Sequence, residues 1–224
     1  MMDGMADDRP RTAPGTAPRP ADGTRAPRPY RVCFVCTGNI CRSPMAEAVF
    51  RARLVDAGLD ALVTVDSAGT GGWHTGDAAD PRTVAVLTAA GYAQRHRARQ
   101  FTADWFADRD LVIALDRGHQ RELRAMAPSP EEAAKVRLLR SYGPEASGGS
   151  QAYGRGGAAL DVPDPYYGGA RGFDDCLELI EAAMPGLLAE VGDAVGEPAG
   201  VTGTDGHDGH DGPDGPDGPD GKLG

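Results

Sequence analysis

Residues 32–50 read VCFVCTGNICRSPMAEAVF, and a change of rhythm inside that stretch decides the fold. Tyr30 to Cys36 is a β-rich run with both parities apolar, as in a strand buried on both faces of a parallel sheet. From Ser43 the period becomes helical. Met45, Val49 and Ala52 recur at helical spacing, Ser43 suits the N-cap, Pro44 suits the first helical position, and Gly58 can end the helix. Cys36 to Arg42 is therefore a strand-to-helix loop.

The same alternation continues outward. Strands are expected at 62–67, at 111–115 (LVIAL) and at 135–139. Helices are expected at 81–90, closed by Gly91, at 117–126, and at 173–191 with Leu177, Ile180, Met184 and Leu188 inward. Strands alternating with helices imply right-handed crossovers and an α/β, doubly wound parallel sheet, whose ligand site lies beyond the carboxyl ends of its strands. The cysteine loop sits at such an end.

The 224 residues exceed one such domain, and the surplus lies at the ends. Residues 1–29 are rich in Pro, Arg, Asp and Ala with little apolar surface, so they are expected to be disordered. The same expectation holds for residues 192–224, which run into HDGHDGPDGPDGPDG, and for a Gly/Ser-rich insertion at about 143–160. The domain proper is 30–191. Residues 1–29 carry a net +1 and residues 193–224 a net −7, so the total of −10 leaves only −4 for residues 30–192. No basic run with interleaved aromatics points to nucleic acid. No apolar stretch of about 18 residues suits a membrane span, and the N-terminal segment lacks the apolar core of a secretory signal. A cytoplasmic protein with four reduced thiols is expected.

In Cys36-Thr37-Gly38-Asn39-Ile40-Cys41-Arg42-Ser43, five residues separate a thiol from a guanidinium at a helix N-terminus. Such a loop can curl so that the N–H groups from Thr37 to Arg42 line one anion nest. Gly38 permits the positive φ that the curl needs, and Asn39 tolerates it. Arg42 adds a planar fork matching two phosphate oxygens. A free thiol of pKa about 8.5 falls to roughly 3.5–7.5 at helix N-termini and beside cations, so the field that binds phosphate also activates Cys36 as a nucleophile. The Ser43 hydroxyl can donate to that thiolate. Attack at phosphorus gives a cysteinyl phosphate, which water then hydrolyses.

The leaving oxygen needs a proton. In Asp161-Val162-Pro163-Asp164-Pro165-Tyr166-Tyr167 the candidate donor is Asp164, set between two prolines and directly before Pro-Tyr-Tyr; Asp161 is read as structural. The two tyrosines and Trp73 offer aromatic walls suited to phosphotyrosine.

CTGNICRS followed by a helix, with DPYYG downstream, resembles the low-molecular-weight protein tyrosine phosphatase family, of bacterial type. The resemblance spans about residues 30–191. It implies a three-layer fold with a small four-stranded parallel sheet flanked by helices and a phosphate-binding loop after the first strand. It also implies Cys36 as nucleophile, Arg42 as phosphate and transition-state binder, and Asp164 as general acid, then base. Asn39, Ser43, Ser67 and His96 match a network that shapes the loop, and Asp116 matches an acidic neighbour of it. Trp73, Tyr166 and Tyr167 match cleft walls, and Cys41 matches a reversible disulfide partner of Cys36. The implied partners are phosphotyrosine proteins, with inorganic phosphate as product and inhibitor, and no metal or other cofactor.

Rival readings are a metal cluster at Cys33-x2-Cys36-x4-Cys41, which lacks a fourth ligand at ordinary spacing, and a thioredoxin-coupled arsenate reductase, which needs more cysteines than Cys176 after the loop. A phosphoarginine phosphatase would resemble this loop but carry threonine at Ile40. A non-catalytic phosphate-binding module is the alternative from another class. Cys33 and Cys176 are read as small buried hydrophobes.

Overall fold

The computed structural model describes residues 28–144 and 160–196. Its sheet has four parallel strands in the order β2-β1-β3-β4: β1 Tyr30–Cys36, β2 Val63–Gly69, β3 Leu111–Ala114 and β4 Val136–Leu138. The helices are α1 Arg42–Asp56, α2 Pro81–Ala89, α3 Arg117–Met126, α4 Pro130–Ala134 and α5 Arg171–Val195.

β1 is central because both of its faces are apolar. Val32, Phe34 and Cys36 pack on one side with Met45, Val49 and Phe50 of α1 and Ile180 and Met184 of α5. Cys33 and Val35 pack on the other side with Phe101, Phe106, Val112 and Leu123. The expected three layers result. The register pairs Cys36 with Gly69, so the carboxyl ends of β1 and β2 finish together. A Cβ on Gly69 would lie 2.6 Å from the Thr37 carbonyl oxygen and 3.1 Å from the Asn39 nitrogen, so only glycine lets the cysteine loop fold over the end of β2.

Some expectations need correction. α1 starts at Arg42 with Cys41 at its N-cap and no side-chain cap. Ser43 therefore lies inside the first turn, fully buried, with its hydroxyl engaged elsewhere. Asn39 alone among the non-glycine described residues has a positive φ, 57°, whereas Gly38 does not use that freedom. α5 continues past 191 to Val195, and Leu187 is fully buried while Leu188 is only partly so; the apolar stripe 177, 180, 184, 187, 191 follows the helical repeat better. Arg28, in the expected N-terminal tail, is tied to Asp110 by two 2.6 Å hydrogen bonds. Short 3₁₀ turns at Ala103–Asp108 and Leu139–Tyr142, and α4, had no clear apolar period to announce them. Residues 1–27, 145–159 and 197–224, which include most of the tails and the insertion, lie outside the described residues.

Candidate active site

A cleft of about 400 Å³ opens beyond the carboxyl end of β1, lined by the loop residues Cys36, Thr37, Gly38, Ile40, Cys41 and Arg42, and by Trp73, His74, Asp164, Tyr166 and Tyr167. Three separate segments thus converge on one opening.

The loop is braced from beneath. The Asn39 side-chain oxygen accepts from the Arg99 backbone N–H at 2.8 Å, which fixes its amide so that Nδ2 donates to Ser43 Oγ and Ser67 Oγ, each at 2.9 Å. Ser43 Oγ also lies 3.0 Å from Cys36 Sγ and 3.3 Å from the Ala68 carbonyl, so its hydroxyl can donate to the carbonyl while the sulfur is a thiol and to the sulfur once it is a thiolate. The Ser67 hydroxyl in turn donates to Glu47 Oε2 at 2.5 Å. His96 Nε2 donates to the Asn39 carbonyl at 2.6 Å, and burial lowers its pKa against the opposing pull of that carbonyl and of Glu47. The N–H groups of residues 37–41 donate to no backbone carbonyl among the described residues.

Arg42 closes the loop and is almost wholly buried. Nη1 meets Asp116 Oδ2 and Nη2 meets Asp164 Oδ2, both at 2.8 Å; Nη1 also reaches the Val162 carbonyl at 3.2 Å and Nη2 the Thr37 hydroxyl at 3.4 Å. Asp116 in addition caps α3 by accepting from the His119 N–H. Asp161 accepts from the Arg117 N–H at 2.9 Å.

The model for the low molecular weight phosphotyrosine protein phosphatase family matches residues 31–196. The chain belongs to that family. A low molecular weight protein-tyrosine-phosphatase of Streptomyces coelicolor is 64% identical over 166 residues, covering 74% of this chain and 96% of that protein. Low molecular weight protein-tyrosine phosphatase A of Mycobacterium tuberculosis is 50% identical, covering 71% and 90%. The crystal structure of a protein tyrosine phosphatase from Entamoeba histolytica superposes with a TM-score of 0.66 at 30% identity, covering 74% and 98%. The chain is thus a protein-tyrosine phosphatase, a cysteine-based hydrolase.

Within this phosphatase the four cysteines separate by environment. Cys33 lies on the opposite face of the sheet from Cys36 and Cys41, so the three cannot converge on one metal ion. Burial pushes the Cys33 and Cys176 thiols up and raises Cys41 to about 12, which leaves all three as neutral thiols at physiological pH. Among the described residues no helix is long and apolar enough to cross a membrane.

Sequence reading missed three residues at the site. Glu47, on the buried face of α1, anchors Ser67 and meets Arg51 one turn away. His119 is buried with Nε2 2.8 Å from the Thr37 hydroxyl, and burial, opposed by Asp116, brings its pKa down to about 4. His74 lines the cleft beside Gly38. An acid at a core-facing helix position was the available signal for Glu47; the two histidines had none.

Proposed function

We propose that the phosphatase hydrolyses protein phosphotyrosine with Cys36 as nucleophile, Arg42 as phosphoryl binder and Asp164 as general acid, then base. The Cys36 thiolate attacks phosphorus as the P–O bond to the phenolic oxygen breaks, and Asp164 gives its proton to that oxygen. Asp164 then takes a proton from water, whose oxygen attacks phosphorus; the S–P bond breaks, and phosphate and the thiolate are released. The observation that carries this reading is that Cys36, Arg42 and Asp164 line one cleft although up to 128 residues separate them in sequence. The free amides of residues 37–41 and Arg42 support stabilisation of the equatorial phosphoryl oxygens. Asn39, Ser43, Ser67 and His96 hold the loop in shape, and Asp116 orients Arg42. Trp73 and Tyr167, 77% and 92% exposed, with Tyr166, wall a slot for an aryl ring over Ile40.

Cys41 lines the same cleft as Cys36, which supports its role as disulfide partner on oxidation; recovery of peroxide-treated enzyme by a thiol reductant tests it. Cytoplasmic residence belongs to the same reading, because a thiolate enzyme works where thiols stay reduced.

The experiment is hydrolysis of para-nitrophenyl phosphate and of phosphotyrosine, phosphoserine and phosphoarginine peptides, with a metal chelator present, by wild type and Cys36→Ser. Activity on the aryl esters that vanishes in Cys36→Ser is expected. Activity on phosphoarginine alone would transfer the substrate assignment there, and phosphate binding without turnover by wild type would make the chain a binding module.

A further inference from the structure

Arg82 stands in the first turn of α2, outside the cleft lining, yet it touches the Asp164 loop directly and is linked through Asp80 to the cysteine loop. Its Nε and Nη2 grip Asp80 Oδ1 and Oδ2 at 3.0 and 2.9 Å, and the Asp80 backbone N–H donates to the carbonyl of Ile40 in the cysteine loop at 2.8 Å. On its other side Arg82 donates to the carbonyls of Tyr166 at 3.1 Å and Gly168 at 3.5 Å, in the turn that follows Asp164. Its guanidinium lies 4.5 Å over the centroid of the buried Phe173 ring and 5.6 Å over that of Tyr166.

We propose that Arg82, held by Asp80, is a positioning residue that keeps the Asp164 loop in register with the cysteine loop during turnover. The proposal rests on the reading of Asp164 as general acid. Arg42 also ties the loops, by a hydrogen bond to the Val162 carbonyl on the near side of Asp164 and by its ion pair with Asp164 itself, and the ion pair requires an ionised carboxylate. A general acid enters the reaction protonated, and a phosphoryl dianion on the loop competes for the same guanidinium donors. The ion pair, the part of the Arg42 tie that reaches Asp164 itself, is therefore weakest in the state in which the acid must act. Arg82 holds its loop through backbone carbonyls, an aromatic face and Asp80, none of which takes part in the proton transfers. A planar fork that also stacks is a property of arginine that lysine does not reproduce.

The test measures kcat/KM for aryl phosphates from 2,4-dinitrophenyl to phenyl phosphate, using Arg82→Met and Arg82→Lys in both the wild-type and Asp164→Ala backgrounds, with thermal unfolding alongside. On phenyl phosphate both variants should lose about tenfold, a fraction of the 10²–10⁴ that a general acid supplies, and on the dinitrophenyl ester less than about twofold. In the Asp164→Ala background Arg82→Met should cost nothing more, since no acid remains to be positioned. Equal losses across the esters, wild-type kinetics, or losses that multiply with Asp164→Ala would overturn the proposal. Asp164→Ala by itself separates the two assignments. If its losses are equal on all esters, the acid reading fails and takes the proposal with it. If they grow with leaving-group basicity while those of Arg82→Met do not, the proposal alone falls.

Discussion

The cysteine loop and the Asp164 loop face each other across one cleft but are built on opposite physical principles. The first is buried: Asn39 and Ser43 are inaccessible, and every polar atom of the Asn39 side chain is used in holding neighbours. The second is exposed: the Asp164 side chain is 40% accessible and Tyr167 is 92% accessible, and the loop is held by the buried Arg42 and the exposed Arg82. On the proposed roles, a nest that presents converging N–H groups has to be rigid before the anion arrives, whereas a proton donor must also meet water and release product. Burial serves the first need and tethering the second.

Arg42 joins the two regions, and breaking that junction should have the largest effect. Arg42→Lys keeps the charge but loses the fork between Asp116 and Asp164, so kcat/KM on an aryl phosphate should fall by about 10²–10³. Steady-state kinetics checks it, and a loss below tenfold would mean that charge alone suffices.

Next comes the buried bracing. Asn39→Ala removes three hydrogen bonds and puts alanine at φ 57°, so unfolding in urea should show a loss of about 2–4 kcal/mol.

His119 should make stability depend on pH. Burial holds it at about 4, below an ordinary imidazole, so on acidification the unfolded chain takes up the proton first. The stabilising contribution of the neutral ring is complete above pH about 6.5 and is lost as pH falls toward 4, by up to about 2–3 kcal/mol. Denaturant unfolding at pH 7 and pH 4.5 should therefore show a smaller acid loss in His119→Gln than in wild type.

The smallest effect belongs to the exposed rim. Tyr167→Ala should change stability by less than about 0.5 kcal/mol while raising KM for a phosphotyrosine peptide more than it lowers kcat. A drop in stability like that of Asn39→Ala would erase the contrast between the regions.

Much of this architecture was legible from local order. A two-sided apolar run reads as a central strand wherever it stands, and β1 and α3 occupy the residues that periodicity assigned them. That Cys36 and Arg42 share one loop was legible too, because they lie within one turn of chain and need no distant element to come together. Other roles were not local. Ser43 looks like a helix cap in sequence, yet the tighter start of α1 turns its hydroxyl onto Cys36. Gly38 offered the freedom that Asn39 took, because hydrogen bonds from β2 and the Arg99 segment reward a side chain at that bend.

The sequence by itself thus determined the strand–loop–helix unit and the parallel α/β class, since each depends on residues within a few positions of one another. Only the tertiary structure decided which carboxylates meet Arg42, that Glu47 and His119 support the loop, and that Arg82 with Asp80 links the two sides of the cleft. The contacts that do this join residues 20 to 122 positions apart in the chain. What brings them together is the crossover of β2 and β3 to either side of β1, which no local pattern encodes.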